Sequence, residues 1–398
     1  MAQDSAATQD SVATHFPQSF LGFLRDNGID PSIYDVYDGQ PRYVRIVRHA
    51  QRSSDELRGL VAQIEEDAQC AVTAVDGVAG FLAIADRTVR LAQLRAYRER
   101  LVVGMDASSG IAVQALAAAP GHNVLDLCCA PGAKLLYLAE TVGDGAAVGA
   151  DAANVGSVTG VDISPHRIGT CRSLIKRHAG AGRMLVRLYA QDGTVFSAAA
   201  PRARWWDPLA ARDPGGAARG RQRGAADEPL FAAKLMRTEY ACSGGDLYDR
   251  VLVDAECTHD GSLAHVHKYG AEWGWGELGA RVHCDADMPF LQSRLLENGW
   301  RLLRPGGLLV YSTCSLSRLQ NEHVLGGFLA RHGADEACLE PVFGGGGGGG
   351  SGEGCPGPRL RGIATSPAWA PATDDDACAT RPGWTRACRA RRACLLRA

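Results

Sequence analysis

The stretch that most constrains the fold is residues 302–316, which combine a turn, an apolar strand and a polar tip. Arg304-Pro305-Gly306-Gly307 is a turn signal, because glycine allows positive φ and proline fixes the bend. Leu308 to Tyr311 is short and apolar at every position, which predicts a strand buried on both faces of a parallel sheet. Ligands of open α/β sheets bind beyond the carboxyl ends of the strands, where Cys314 stands. Residue type alone favours an inert buried thiol there over a nucleophile.

The size and charge of the chain allow two domains and exclude several classes of protein. Its 398 residues can bury the core of an ordinary enzyme, and its net charge of −2 leaves any RNA surface to a local patch. No apolar run reaches the roughly 18 residues of a membrane span. Residues 1–14 do not resemble a secretory signal. We therefore interpret the 13 cysteines as reduced thiols of an intracellular protein, in the nucleus or nucleolus, the cytoplasm or an organelle.

Composition and periodicity divide the chain into segments. We predict a disordered leader at 1–16, a small α+β domain at 17–100, a larger α/β domain at 101–340 with a disordered insertion at 197–229, and a low-complexity tail at 341–398. The tail has no Cys-x-x-Cys spacing, so no metal site is predicted.

The small domain carries a helix start and a group of basic residues. Ser53-x-x-Glu56 is a capping box that opens a helix, and residues 41–47 alternate basic and apolar side chains as a half-exposed strand does. Its arginines are candidates for a phosphate-contacting face, although solvated surface charge is the favoured interpretation. They are Arg42, Arg45, Arg48, Arg90, Arg95, Arg98 and Arg100.

In the larger domain, strands that end in acids or thiols alternate with helices from 111 to 330, which predicts a doubly wound α/β fold. The candidate ligand-binding tips are the loop 128–134, Asp162, Asp192 and Asp254. Asp162 is preferred over Asp151 as the ribose-binding acid, since an apolar strand precedes it. For Asp192, a solvated turn residue is an equally favoured interpretation. The absence of G-x-G-x-x-G excludes a nicotinamide cofactor.

A second thiol changes the interpretation of the first. Cys257 follows the strand Tyr248 to Asp254, and Cys314 follows the next strand along the chain. Successive strands of such sheets are usually neighbours, so both thiols are expected to face one pocket. Two reduced thiols at one pocket favour a reactive role over packing.

Three motifs resemble those of the RsmB/NOP-type (Sun family) RNA cytosine-5 methyltransferases, over residues 17–330. Leu125 to Lys134 resembles the D-x-C-A-A-P-G-G-K loop of that family, and Asp254-Ala255-Glu256-Cys257-Thr258 resembles its D-A-P-C-S motif. Tyr311 to Ser315 with Gln320-Asn321-Glu322 resembles Y-S-T-C-S…E-N-E. The resemblance implies a Rossmann-like fold for 101–340, S-adenosyl-L-methionine as cofactor, RNA (rRNA or tRNA) as substrate and a monomer without a membrane segment.

The resemblance also implies a role for each site residue. Cys314 would be the nucleophile, Cys257 would expel the enzyme from its product, and Asp254 would lie between cofactor and cytosine. The remaining cofactor-binding residues would be Cys129, Ala130, Pro131, Gly132, Ala133, Lys134, Asp162, Arg167 and Asp192.

The chain departs from the family pattern at several positions. Glu256 replaces a proline, Ala133 a glycine and Cys129 an alanine. The charge of Glu256 is expected to raise the pKa of Cys257. After residue 340, no segment resembles the two strands that close the sheet in the family.

Two other readings compete with RNA cytosine methylation. The chain could be a methyltransferase for a different acceptor with structural cysteines, or an inactive RNA-binding remnant. DNA cytosine methylation is disfavoured, because Cys257 lacks the Pro-Cys-Gln context of those enzymes.

Overall fold

The computed structural model describes residues 16–37, 39–143, 156–178, 184–201, 229–232, 247–282, 287–337, 362–363 and 392–397. Residues 1–15 of the predicted leader, 202–228 of the predicted insertion and Asp151 lie outside this range.

A small antiparallel sheet lies in the N-terminal part of the described chain. Its strands, in the order β2-β3-β1-β4, are β1 (Arg42–Ile46), β2 (Val72–Ala74), β3 (Phe81–Ile84) and β4 (Val102–Gly104). The helices nearby are α1 (Gln18–Asp26), α2 (Ser54–Ala68) and α3 (Arg95–Arg98). The predicted capping box starts α2: Ser53 Oγ accepts the Glu56 N–H at 3.3 Å, and the Glu56 carboxylate accepts the Ser53 N–H at 2.7 Å.

One of the predicted basic residues is not on the surface. Arg45 is 2% exposed and forms a two-pronged ion pair with Glu140, at 2.7 and 3.1 Å. The interpretation of Arg45 as solvated or phosphate-contacting charge is therefore wrong. Val44 and Ile46 pack in the core beside the small sheet, while Arg45 on the opposite face is buried against Glu140, so the alternating pattern did not mark an exposed face.

The larger sheet has the predicted doubly wound α/β character. Within the described residues its strand order is β11-β12-β10-β9-β5-β6-β7-β8, parallel throughout except for the β7–β8 pair. The strands are β5 (Asn123–Asp126), β6 (Ser157–Asp162), β7 (Val186–Ala190), β8 (Phe231–Ala232), β9 (Tyr248–Asp254), β10 (Leu303–Thr313), β11 (Gly362–Ile363) and β12 (Arg392–Arg397).

Helices cover both faces of this sheet, as buried apolar strands require. The helices of this part are α4 (Ala107–Ala115), α5 (Ala133–Gly143), α6 (Pro165–His178), α7 (Leu263–Lys268), α8 (Trp275–Val282), α9 (Asp287–Leu302) and α10 (Glu322–Glu336). One hydrophobic core lies between the sheet and α4, α5 and α6, and another lies between the sheet and α9 and α10.

The tail differs from the sequence-based expectation. Strand β12 pairs in parallel with β10 from Leu308 to Thr313, and β11 pairs with β12. Two described segments of the predicted low-complexity tail therefore add strands to the sheet next to β10. Residues 393–396 form a short apolar run within an Arg- and Pro-rich tail, and composition averaged over the whole tail concealed it.

An aromatic cluster joins the N-terminal helix to the segment that follows β9. Phe16, Phe20 and Tyr34 are buried with Val266 and Leu278. These contacts attach α1 to α7 and α8, so the cluster connects the first described residues of the chain to the loop region beyond strand β9.

Among the described helices, none is long and apolar enough to cross a membrane.

Candidate active site

The two predicted thiols lie together, as expected from the order of their strands. Strands β9 and β10 are hydrogen-bonded neighbours with Asp254 opposite Ser312. Pairing continues past the strands, because the Gly261 N–H donates to the Cys314 carbonyl at 2.9 Å. The two loops therefore run side by side, and the Sγ atoms of Cys257 and Cys314 are 3.2 Å apart.

A histidine that received no role from the sequence completes this cluster. His259 Nδ1 lies 2.8 Å from Cys314 Sγ and 3.7 Å from Cys257 Sγ. The backbone of His259 has a φ of 60°, in the left-handed region that non-glycine residues rarely adopt. His259 lies five residues after the end of β9, so the conformation of this loop, rather than the strand, brings it to the thiols.

The pKa values of the two thiols shift in opposite directions. The Cys257 thiolate accepts hydrogen bonds from Cys314 and His259, and these lower the pKa of Cys257 to about 6 despite its burial. The pKa of Cys314 is raised, because it is hydrogen-bonded to the Cys257 thiolate and buried, and ionising it would place a second charge 3.2 Å from the first. The hydrogen bond between His259 and Cys257 raises the pKa of His259.

The prediction about Glu256 is wrong. Glu256 is exposed to solvent, where its charge is screened, and the pKa of Cys257 is lowered rather than raised. The hydrogen bonds from Cys314 and His259 outweigh the effect of that neighbouring acid.

Buried polar side chains hold the two loops in place. Asp260 is fully buried and accepts hydrogen bonds from the Thr258 hydroxyl, from Ser315 Oγ at 2.7 Å and from the Leu316 N–H at 2.7 Å. Asn321 donates to the Ser315 carbonyl at 2.9 Å. Asp260 thus joins the loop after β9 to the loop after β10. Only its position three residues after Cys257 could have suggested this role from the sequence.

The loop after β5 lies beside the same strand ends. Lys134 Nζ forms an ion pair of 2.7 Å with Asp254, whose other oxygen accepts a hydrogen bond from Ser312 Oγ at 2.6 Å. Asp254 therefore links the predicted cofactor loop to strand β10. Gly132 has a φ of +110°, and a Cβ there would lie 3.1 Å from the Cys171 backbone, so this position suits glycine.

The other predicted cofactor residues occupy the same edge of the sheet. Arg167 donates to the Ala130 carbonyl at 2.9 Å and lies 3.4 Å from the Asp162 carboxylate, so it bridges the loop and the tip of β6. Asp162 itself is 4% exposed. Asp192 is exposed beyond β7, where it accepts the Thr194 N–H at 2.8 Å in a local turn.

The remaining loop residues differ in exposure. Cys129 is buried, with its Sγ 4.0 Å from that of Cys171, whereas Pro131 is exposed and Ala133 is half-buried. Cys129 is therefore oriented into the core, while its N–H donates to the Val161 carbonyl at 2.9 Å.

This parallel sheet, with its glycine-containing loop after β5 and acids at neighbouring strand ends, defines a Rossmann-like methyltransferase fold. A solved structure, NSun6 from Pyrococcus horikoshii with SFG, has the same fold, with a TM-score of 0.51 at 13% identity over 82% of this chain and 91% of that one.

Residues 230–353 match the family model of the 16S rRNA methyltransferase RsmB/F, which confirms the predicted resemblance. The mouse (Mus musculus) 5-cytosine rRNA methyltransferase NSUN4 is 43% identical over 83 residues, 21% of this chain and 20% of its own length. A mouse mitochondrial tRNA (cytosine(34)-C(5))-methyltransferase is 42% identical over 79 residues, 20% of this chain and 21% of its own length. The matched segment spans about a fifth of each relative.

Proposed function

We propose that this protein transfers a methyl group from S-adenosyl-L-methionine to carbon 5 of cytosine in RNA, through a covalent adduct with Cys314. The observation that carries the proposal is the thiol pair, 3.2 Å between sulfurs, at the end of the sheet where ligands bind. The names of the similar rRNA and tRNA methyltransferases support RNA as the substrate.

The donor set along the sheet edge fits the proposed cofactor. Asp162 offers a nearly buried carboxylate, suited to a ribose diol, and the loop 129–134 opens toward the same edge with glycine at its point of closest packing. Lys134 at 2.7 Å and Ser312 Oγ at 2.6 Å hold the Asp254 carboxylate in place between the cofactor loop and the thiols. The cofactor supplies a methyl group bound to a sulfonium, which is an electrophile.

The chain's residues would act in sequence on the cytosine. Carbon 5 is a poor nucleophile until the Cys314 thiolate adds to carbon 6, when the electrons of the carbon 5–carbon 6 double bond become available for attack on the methyl group. After transfer, the proton of carbon 5 passes to a base, the double bond forms again, and the carbon 6–sulfur bond breaks with its electrons returning to Cys314. Cys257 is the proposed base, since it lies beside Cys314.

The first test compares cysteine variants on bulk RNA with labelled cofactor. Cys314→Ala should abolish methylation, because no adduct can form. Cys257→Ala should accumulate a protein–RNA adduct that survives denaturing electrophoresis, because release is blocked. Cys70→Ala, a half-buried thiol in the small domain, is the matched control and should methylate normally.

Turnover by Cys314→Ala would contradict the covalent mechanism and favour a methyltransferase for another acceptor. Failure of the folded wild type to bind the cofactor in calorimetry would instead favour an inactive RNA-binding remnant.

We further propose that residues 17–100 form the RNA-facing domain and that the protein acts as an intracellular monomer. The RNA-facing role is supported by three exposed arginines within residues 17–100, namely Arg42, Arg90 and Arg98. Replacing all three arginines by alanine should weaken RNA binding and leave cofactor affinity unchanged. The monomer is tested separately, by sedimentation velocity.

A further inference from the structure

We propose that His259 is the cationic partner of the thiol pair, which lets one negative charge move from Cys257 to Cys314 when Cys314 has to attack. The inference deepens the proposed function, because it assigns a residue to the reaction that neither the motifs nor the similar proteins assign.

The distances favour a hydrogen bond from His259 to Cys314 over one to Cys257. Its Nδ1 atom is 2.8 Å from Cys314 Sγ, but 3.7 Å from Cys257 Sγ. A thiolate therefore gains a shorter charge-assisted hydrogen bond on Cys314 than on Cys257. Asp254 and Asp260 oppose ionisation of Cys314, while Lys134, paired with Asp254 at 2.7 Å, favours it. The His259 imidazolium would add a second cation beside the thiols.

The loop holds the imidazole there at a conformational cost. A φ of 60° is unfavourable for a residue with a Cβ, and such strain in folded proteins concentrates at functional sites. The ring is also fixed from its other side, since His265 stacks on it with 4.7 Å between ring centres and an angle of 15°. His265 is in turn held by Ser262 Oγ at 2.8 Å.

The surrounding groups shift the pKa values of the two stacked histidines in opposite directions. Burial and the adjacent His259 lower the pKa of His265 to about 4, so His265 is neutral at pH 7. Lys268 and Arg281 also act on this pair as cations, while Glu256 acts on His259 as an anion. The thiolate hydrogen bond outweighs burial and the cations, and it raises the pKa of His259.

The proton balance of the proposed step is simple. In the proposed resting state Cys257 is a thiolate, Cys314 a thiol and His259 an imidazolium. The Cys314 proton crosses 3.2 Å to Cys257 Sγ, which leaves a thiolate on Cys314 beside the imidazolium; no other bond changes.

The same arrangement resets Cys257 for the release step. Once Cys314 is a neutral thioether, the imidazolium at 3.7 Å favours ionised Cys257, and its proton leaves to water. Cys257 can then accept the carbon 5 proton, and breaking the carbon 6–sulfur bond returns a thiolate to Cys314. One proton is released per methyl transfer, as the overall reaction requires.

The test measures thiol alkylation by iodoacetamide as a function of pH, with Cys257→Ala as the background so that the reactivity of Cys314 is isolated. His259→Gly removes the imidazole and suits a positive φ, so the backbone should fold. We expect the alkylation midpoint of Cys314 to rise by at least about one pH unit, which is a tenfold loss of thiolate below the midpoint. Added imidazole should restore much of the reactivity.

His49→Gly, at a half-buried histidine of the small domain, is the control and should leave the midpoint unchanged. An unchanged midpoint in a folded His259→Gly protein would overturn the proposal. So would a stoichiometric transition metal in the wild type that is lost in His259→Gly, because the nitrogen would then be occupied by the metal.

The readout is independent of RNA. If the wild type methylates no RNA but its alkylation midpoint still responds to His259→Gly, the proposed function fails while the ion pair stands. If methylation depends on Cys314 but not on His259, and the midpoint does not move, this inference alone fails.

Discussion

Asp126 is a buried acid beside the site that the proposed reaction does not use. It ends β5, is 1% exposed, and accepts the Cys128 N–H at 3.3 Å through one oxygen only. Burial, together with the nearby charge of Asp254, raises the pKa of Asp126 to about 8. At neutral pH this acid is therefore mostly protonated in the folded protein.

The first stability prediction concerns that proton. The unfolded pKa is 3.8, so between pH about 4 and about 8 the folded state binds more protons than the unfolded state, and the free energy of unfolding falls as pH rises. Asp126→Asn resembles the protonated acid and should remove this contribution. Urea unfolding should show the variant gaining on the wild type from pH 5 to pH 8; an equal difference at both values would contradict the prediction.

Individual residues show what the sequence could predict about the site. The neighbourhood of Cys257 and Cys314 followed from strand order, because adjacent parallel strands end at one edge. The contact of His259 with the thiols did not, because it depends on one left-handed backbone conformation. The effect of Glu256 was misjudged because its exposure is not visible in the sequence.

At the scale of elements, β1 and α5 are joined by a buried ion pair. Arg45 and Glu140 are 2% and 3% exposed, and Glu140 also accepts the Arg48 N–H at 3.1 Å. Arg45 lies 4.4 Å from the ring centre of Tyr137. This pair connects the small sheet to a helix of the larger domain.

Removing one partner of this pair should be costly. Arg45→Met leaves the Glu140 carboxylate buried without its cation, and we expect a loss of about 3–5 kcal/mol in the free energy of unfolding. Arg45→Met with Glu140→Gln keeps an acceptor for Arg48 but no charge, so it should recover more than half of that loss. Urea denaturation of the single and double variants measures both. A double variant no more stable than Arg45→Met would refute the charge argument.

The presence of a strand was easier to predict from the sequence than its exact bounds or the side chains packed against it. Tyr248 to Asp254 was predicted as a strand with the bounds that the structure has. Strand β10 begins at Leu303 rather than at the predicted Leu308. The predicted turn at residues 304–307 lies inside the strand, where the pairing with β9 shifts register. The alternation of β1 failed to identify a buried face because the opposing helix α5 lies about 90 residues further along the chain, beyond any local pattern.

At the scale of the whole molecule, the N-terminal segment contacts the loop that follows β9. Tyr34 is fully buried, and its hydroxyl donates to the Asp260 carbonyl at 2.8 Å. Asp260 in turn holds the loops of Cys257 and Cys314. Contacts at the start of the described chain therefore support the site more than 200 residues away.

Loss of that single hydroxyl should affect both stability and reactivity. Tyr34→Phe leaves a buried carbonyl without its donor, and we expect about 1–2 kcal/mol less stability. Because the Asp260 loop is loosened, alkylation of Cys314 at neutral pH should also slow. Tyr43→Phe, on β1, is the control. Urea unfolding and alkylation rates that match the wild type in Tyr34→Phe would exclude this connection.

The pairing of β9 with β10 has a further consequence for how the protein tolerates change. The alignment of Asp254 with Ser312 fixes where each thiol emerges. A slip of one residue would shift Cys314 by about 3.3 Å along the strand and turn its side chain to the opposite face of the sheet. Substitutions in the apolar interior of β10 that permit such misalignment would abolish the proposed methylation, although both thiols would still be present. Backbone pairing in the core thus sets the positions of the two thiols. If the proposed function holds, some variants that lose methylation should lie among residues that never touch the RNA.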